Sequence, residues 1–152
     1  MTIPNLKLQK PLEDYIELFE KATARSLSLF DPLLDKDFIF EDPYHKARGV
    51  VGFKLLMSGR FGLYGGTNVR DKSRLRYRAH DFAWGRCEDV AYMYWSMIFP
   101  VVNKSRRKEA QEASFEGMSE LCLSKSGKLM SQRDFWGGHE SFDIRGYKAL
   151  KL

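Results

Sequence analysis

The 152-residue sequence has little cysteine, little proline and no long apolar run. Its two cysteines, Cys87 and Cys122, lie far apart and form no CxxC or metal-ligand spacing, so neither a disulfide framework nor a thiolate metal site is expected. Each stands in an apolar or strand-like context, which predicts two reduced, buried thiols. No segment approaches the roughly 18 apolar residues of a membrane span. The N-terminal "MTIPNLKLQKPLEDY" has no apolar core of signal-peptide length. These absences predict a soluble, cytoplasmic chain with no membrane contact. The histidines, His45, His80 and His139, form no three-His or His-x-x-x-Glu pattern. No metal and no cofactor are therefore expected.

What is present is ordinary globular material. The length predicts one domain over residues 1–152, with 138–152 as a C-terminal tail. A hydrophobic fraction of 43% and an aromatic fraction of 14% are enough for a single core. The net charge of +5, from 25 basic and 20 acidic residues, favours solubility and only weak attraction to anions. Arg74, Arg76 and Arg78 form a basic ladder, and Lys104 to Lys108 a basic loop. Glu109, Glu112, Glu116 and Glu120 are read as cross-strand partners for these arginines, so nucleic acid is not the expected partner.

Helical signals come first. Pro11 is expected to open a helix, because its missing N–H costs nothing in a first turn. Leu12, Tyr15, Ile16, Phe19 and Ala22 then make an amphipathic face. A short apolar segment, Leu27, Leu29 and Phe30, is expected to end at Asp31-Pro32. Residues 37–41 read as a short strand. Gly49 to Tyr64 has helical spacing through Val50, Phe53, Leu56 and Met57, followed by a loop at Gly65–Asn68.

From Arg74 the period changes to two. Arg74, Arg76, Arg78 and His80 share one face, with Leu75, Tyr77 and Ala79 on the other. Strands are expected over Val90–Val101, Ala110–Leu123 and Leu129–Trp136, with a turn at Ser126-Gly127. Helices before long antiparallel strands predict an α+β fold, a curved, mostly antiparallel sheet wrapped on N-terminal helices. On Val90–Val101, Tyr92, Tyr94 and Ile98 share one face, and Met93, Trp95, Met97 and Phe99 the other. Both faces need cover, and a homodimer paired sheet to sheet would supply it.

Two carboxylates stand where chemistry is possible. Asp42 ends the run Phe38-Ile39-Phe40 and precedes a proline, which fits either a turn-forming aspartate or a pocket-lining one. Asp134 falls in the alternate set Met130, Gln132, Asp134 and Trp136. If both share one cavity, repulsion and desolvation raise at least one pKa, giving an acid beside a base. Tyr15 lies on the apolar helix face, and His45 follows Asp42 in a presumed turn as a possible second proton carrier. Trp95, Trp136, Phe53 and Phe115 fit an aromatic cavity wall and core packing equally well.

The order helix, short helix, "FEDP", Gly-led helix and long strands ending in "RDFW" resembles the nuclear transport factor 2-like (NTF2-like), or SnoaL-like, superfamily over about residues 10 to 137. The resemblance implies a cone, the cystatin-like roll, around a cavity. "DYIELFE" and "FEDP" are similar to ketosteroid isomerases, which implies Tyr15 as oxyanion donor and Asp42 as proton-shuttling base. Where those enzymes carry a protonated aspartate as second donor, the corresponding position is Ser119, a weaker donor. "RDFW" resembles the last strand of limonene-type epoxide hydrolases and polyketide cyclases, which implies Asp134 as acid or base. The Arg-x-Asp pair of the epoxide hydrolases is absent from Ala91–Trp95.

The implied function is binding of a small, largely apolar molecule in the cone, with proton transfer of the isomerase or cyclase kind. Trp95, Trp136, Ser119, Phe53, Phe115 and His45 would then surround the substrate. The alternative is a non-catalytic ligand carrier or a dimeric protein-interaction module.

Overall fold

In chain order the helices and strands are α1 (Leu6–Lys21), a 3-10 helix (Leu27–Leu33), β1 (Leu34–Glu41), β2 (Lys46–Arg48), α2 (Gly49–Leu63), β3 (Arg76–Trp84), β4 (Val90–Val101), β5 (Gln111–Leu123) and β6 (Leu129–Phe135). The computed structural model describes residues 6–63, 75–101 and 111–137, with the side chains of 61–63, 99–101 and 111–113 excepted. Arg74, the Gly65–Asn68 loop, the Lys104–Lys108 loop, Glu109, His139 and the tail 138–152 lie outside the described residues, as do the side chains of Phe99 and Glu112.

The strands form one six-stranded sheet in the order β2-β1-β6-β5-β4-β3. All neighbours are antiparallel except β1 and β6, which run parallel. The register slips between Leu34 and Ile39 on β1, between Ala79 and Asp81 on β3 and between Cys122 and Leu123 on β5. Such irregularities increase local twist and bend the strands, which curves the sheet around α1. The architecture is the α+β wrap that the order of elements predicts.

The apolar stripe of α1 is buried as expected through Leu8, Leu12, Tyr15, Ile16 and Phe19. It meets an aromatic cluster in which Phe53 of α2 lies 5.2–5.8 Å from the rings of Phe30, Phe38 and Phe40. Truncating one ring of such a cluster typically costs about 3–5 kcal/mol.

Several expectations need correcting. Pro11 lies inside α1, in its second turn, and does not open it. Its ring packs on the β5–β6 turn at Gly127, where φ is +85° and a Cβ would lie 2.8 Å from the proline Cγ. Glycine satisfies both demands, and the tertiary contact outweighs the missing helical hydrogen bond. The 3-10 helix runs through Asp31-Pro32, since proline's fixed φ suits that geometry. β1 begins three residues earlier than the alternating run indicates, and β2 is an additional strand.

Met130 is exposed while Gln132 and Asp134 are buried, because the slip near Leu123 rotates the start of β6. The cysteines are free but not buried. Cys87 is exposed in the β3–β4 turn and Cys122 half-buried, sharing the alternate set of exposed Met118 on β5. The arginines Arg76 and Arg78 pair with Ile98 and Ser96 of β4, and β4 separates them from the glutamates of β5. Glu116 and Glu120 instead take hydrogen bonds from Tyr94 and Tyr92.

Candidate active site

The end of β1 turns on its own aspartate. Asp42 Oδ1 accepts the backbone N–H of Tyr44 at 2.8 Å and of His45 at 2.7 Å, the aspartate turn expected of an Asp-Pro sequence. The His45 ring lies beside the same carboxylate, with Nδ1 3.1 Å from Oδ1, and is partly exposed. Asp42 Oδ2 accepts a hydrogen bond from the Arg60 guanidinium. The Asp42 side chain is fully buried and that of Arg60 is 9% exposed. The pair is a desolvated salt bridge, further held by Arg60 lying 5.3 Å over the Phe40 ring.

Arg60 reaches this position because it continues the apolar face of α2, seven residues after Phe53 and three after Met57. Burial works against its charge, but the surrounding Tyr77, Asp42 and Asp134 outweigh burial and raise its pKa. Tyr77, on the inner face of β3, is hydrogen-bonded to the same guanidinium, and burial pushes its hydroxyl up to about 12.

The second carboxylate anchors a different network. Gln132 and Asp134 are two apart on β6 and therefore face the same way, inward. Ser119 is the register partner of Asp134 on β5. Asp134 Oδ1 accepts the Ser119 hydroxyl at 2.5 Å and the Gln132 amide at 2.8 Å. Behind these donors stand two more. The Trp95 indole N–H donates to Ser119 Oγ at 2.8 Å, and the Tyr15 hydroxyl donates to Gln132 Oε1. Among the described residues Asp134 Oδ2 receives no hydrogen bond.

Burial pushes the Asp134 carboxyl up to about 6, Ser119, Gln132 and Arg60 hold it down in part, and Asp42 adds to the rise. Tyr15 is raised well above its ordinary value, first by burial and then by Asp134.

Asp42 and Asp134 meet at one cleft of about 970 Å³ where β1, β5 and β6 end. Phe115 and Trp136 line it too, their rings 5.1 Å apart, with exposed Glu116 and Arg133 completing the wall. Tyr44 stacks on Trp136 at 5.3 Å. The cleft is open and largely polar, which corrects the expected apolar cavity. Deeper in the cone, the void between Ile16, Phe19, Tyr77, Met93, Trp95 and Gln132 is about 10 Å³, scarcely one water.

Five expected site residues therefore sit elsewhere. Among the described residues Tyr15, His45, Trp95, Ser119 and Phe53 do not line the cleft. Phe53 belongs to the aromatic core, His45 stands beside Asp42 at the turn, and the others stand behind Asp134. The Tyr15 hydroxyl is fully buried and engaged by Gln132, so it is not available as an oxyanion donor to a ligand in the cleft. Arg60, Tyr77 and Gln132 were not expected. The signal for Arg60 was a charged residue on an apolar helix face. Among the described residues no group of three or more His, Cys, Asp or Glu is arranged to hold a metal ion, and no helix is long and apolar enough to cross a membrane.

The backbone superposes on a SnoaL-like protein of Jannaschia sp. CCS1, described as a polyketide cyclase, with a TM-score of 0.65 at 10% identity, covering 89% of this chain and 90% of that one. An NTF2-like protein of unknown function from Exiguobacterium sp. 255-15 matches with a TM-score of 0.62 at 12% identity, over 85% of this chain and 99% of that one. The fold is NTF2-like. A steroid delta-isomerase from Pseudomonas aeruginosa shares it, with a TM-score of 0.62 at 13% identity over 99% of this chain and 90% of that one. No family model matches the sequence, and no curated protein matches it significantly. Identities this low carry the NTF2-like architecture and not the chemistry.

Proposed function

We propose that this NTF2-like chain binds a small molecule at the mouth of its cone and transfers a proton to or from it through Asp134. The observation that carries the reading is a carboxyl group, 4% exposed, pushed up to a pKa of about 6, with one oxygen that accepts no hydrogen bond from the described residues, lining a cleft large enough for a ligand. Near neutrality such a group exists in both protonation states, as general acid–base work needs. Asp42 fits the base role less well, because both its oxygens are engaged by the turn and by Arg60. Its part is to fix the end of β1 and hold Arg60 near Asp134.

The charged wall supports a ligand with polar atoms as well as an apolar body that Phe115 and Trp136 cover. The test compares wild type with Asp134→Asn on a panel of enones and epoxides across pH 5 to 8. Turnover should change through about pH 6, and the variant should lose roughly 100-fold or more. Equal background rates for both proteins, with ligands still bound, would instead support the carrier.

For assembly, the outer face of the sheet is the candidate, and it meets the rim of the cleft at Phe135. Tyr94, Met118 and Phe135 are register neighbours across β4, β5 and β6 and are 37%, 47% and 48% exposed. An apolar row across three strands supports pairing of two copies through this face. Wild type is expected to sediment at twice the chain mass, and Met118→Glu at the chain mass. A monomeric wild type at roughly 50 µM, about fifty-fold above a micromolar Kd, would remove the dimer.

A further inference from the structure

We infer that Tyr15 and Trp95 are positioning residues for Asp134: acting through Gln132 and Ser119, they collect its hydrogen bonds on Oδ1 and leave Oδ2 as the oxygen that exchanges a proton with the cleft. The inference rests on the proton-transfer reading of Asp134, but its geometry is independent of any substrate.

The direction of every bond in the network is determined. An indole N–H only donates, so Trp95 occupies a lone pair of Ser119 Oγ and directs the serine hydrogen elsewhere. The acceptor it meets is Asp134 Oδ1, at 2.5 Å. On the other side, Tyr15 donates to Gln132 Oε1, which turns the amide Nε2 toward Asp134 Oδ1 at 2.8 Å and leaves it 3.3 Å from Ser119 Oγ. The flipped amide would set Oε1 against a carboxylate oxygen, two acceptors in contact, so the carboxylate fixes which way the glutamine points and the tyrosine proton holds the Oε1 that then faces α1. Both donors converge on one oxygen, and among the described residues the other accepts no hydrogen bond.

The backbone prepares this arrangement. Trp95 is paired in register with Gly117, not with Ser119, and must reach diagonally by two residues. It does so because Gly117 offers no side chain. A Cβ there would lie 2.5 Å from the indole Cζ2 and 3.1 Å from the Phe135 carbonyl oxygen. Gln132 and Asp134 share a face of β6, and Tyr15 meets that face from α1. The charged and titratable groups around Asp134 are Asp42 from the end of β1, Arg60 from α2, Tyr77 from β3 and Tyr15 from α1. Of these, Tyr15 acts on Oδ1 through an oriented amide, whereas Asp42 and Arg60 act as charges.

The experiment is a carboxyl carbon-13 titration of ligand-free protein. In Tyr15→Phe the Gln132 Oε1 loses the donor that anchors it, the donation of Nε2 to Oδ1 weakens, and the Asp134 midpoint is expected to rise by about one pH unit, the scale of one charge-assisted hydrogen bond. In a Gln132→Leu background the same Tyr15→Phe change is expected to move the midpoint no further, because the intermediary is gone. Trp95→Phe and Ser119→Ala form a second pair with the same expected pattern. A purely structural Tyr15 would lower stability and leave the midpoint within about 0.3 units of wild type. That result, or an equal shift with and without Gln132, overturns the inference. Because the readout is a titration without substrate, the positioning role stands or falls separately from catalysis.

Discussion

Exchanging Arg60 for methionine is expected to destabilise the protein by about 3–5 kcal/mol, a large part of the roughly 5–15 kcal/mol that holds a domain together. The Asp42 side chain is fully buried, and Arg60 supplies its charge partner on Oδ2. Methionine fills much the same volume and leaves the carboxylate with only the turn N–H groups and the edge of His45. An ion pair of this kind adds little net stability over an apolar pair, but half of one is costly.

Urea denaturation should therefore show a lower midpoint with an unchanged slope. Adding Asp42→Asn to Arg60→Met should recover most of the loss, since the remaining side chain is neutral and still accepts the Tyr44 and His45 N–H bonds. A loss below about 1 kcal/mol in the single variant would mean that Asp42 is solvated, against the geometry of the salt bridge.

Asp134→Asn is expected to make the protein more stable above pH 6 while removing any acid–base function. Burial raises the native carboxyl from 3.8 to about 6, so the folded state binds its proton more tightly than the unfolded chain does. Below about pH 4 both states are protonated and the group contributes no penalty. As pH rises through about 4 to 6 the unfolded chain releases its proton first, and stability falls. Above the native pKa the deficit is constant at about 3 kcal/mol, from roughly two pH units at 1.36 kcal/mol each.

Asparagine keeps an oxygen to accept from Ser119 and Gln132 and carries no charge to desolvate. At pH 7.5 the variant should gain about 1–3 kcal/mol, or a Tm higher by about 3–10 °C, and should match wild type at pH 4. A variant no more stable than wild type at pH 7.5 would show that Asp134 ionises without strain. A site that destabilises its own fold in this way is what functional carboxylates share.

Much of this was legible in the sequence. The alternation of Arg76 to Ala79 and the run Val90–Val101 announce β3 and β4, because a strand with one buried face repeats every two residues. Leu12, Tyr15, Ile16 and Phe19 announce α1 by the same logic at helical period. Asp42 and Asp134 were visible as carboxylates at a strand end and on an inward strand face, places where charge needs a reason. β2 was not visible. Lys46–Arg48 holds a single apolar residue and no period, and it is a strand only because β1 lies alongside it. The position of Pro11 inside α1 was hidden for a similar reason, since Gly127 lies far along the chain.

The roles around the site divide along the same line. Local patterning determined which residues turn inward, because side-chain direction follows from helical and strand periods alone. It did not determine what they meet there. Tyr15 bonds Gln132 across 117 residues, Trp95 reaches Ser119 across 24, and Arg60 reaches Asp42 across 18. Those pairings depend on the parallel seating of β6 beside β1, on the slips that curve the sheet and on the space at Gly117. A hydrogen bond or an ion pair acts over about 3–4 Å, so only the folded chain decides which donor stands that close to which acceptor.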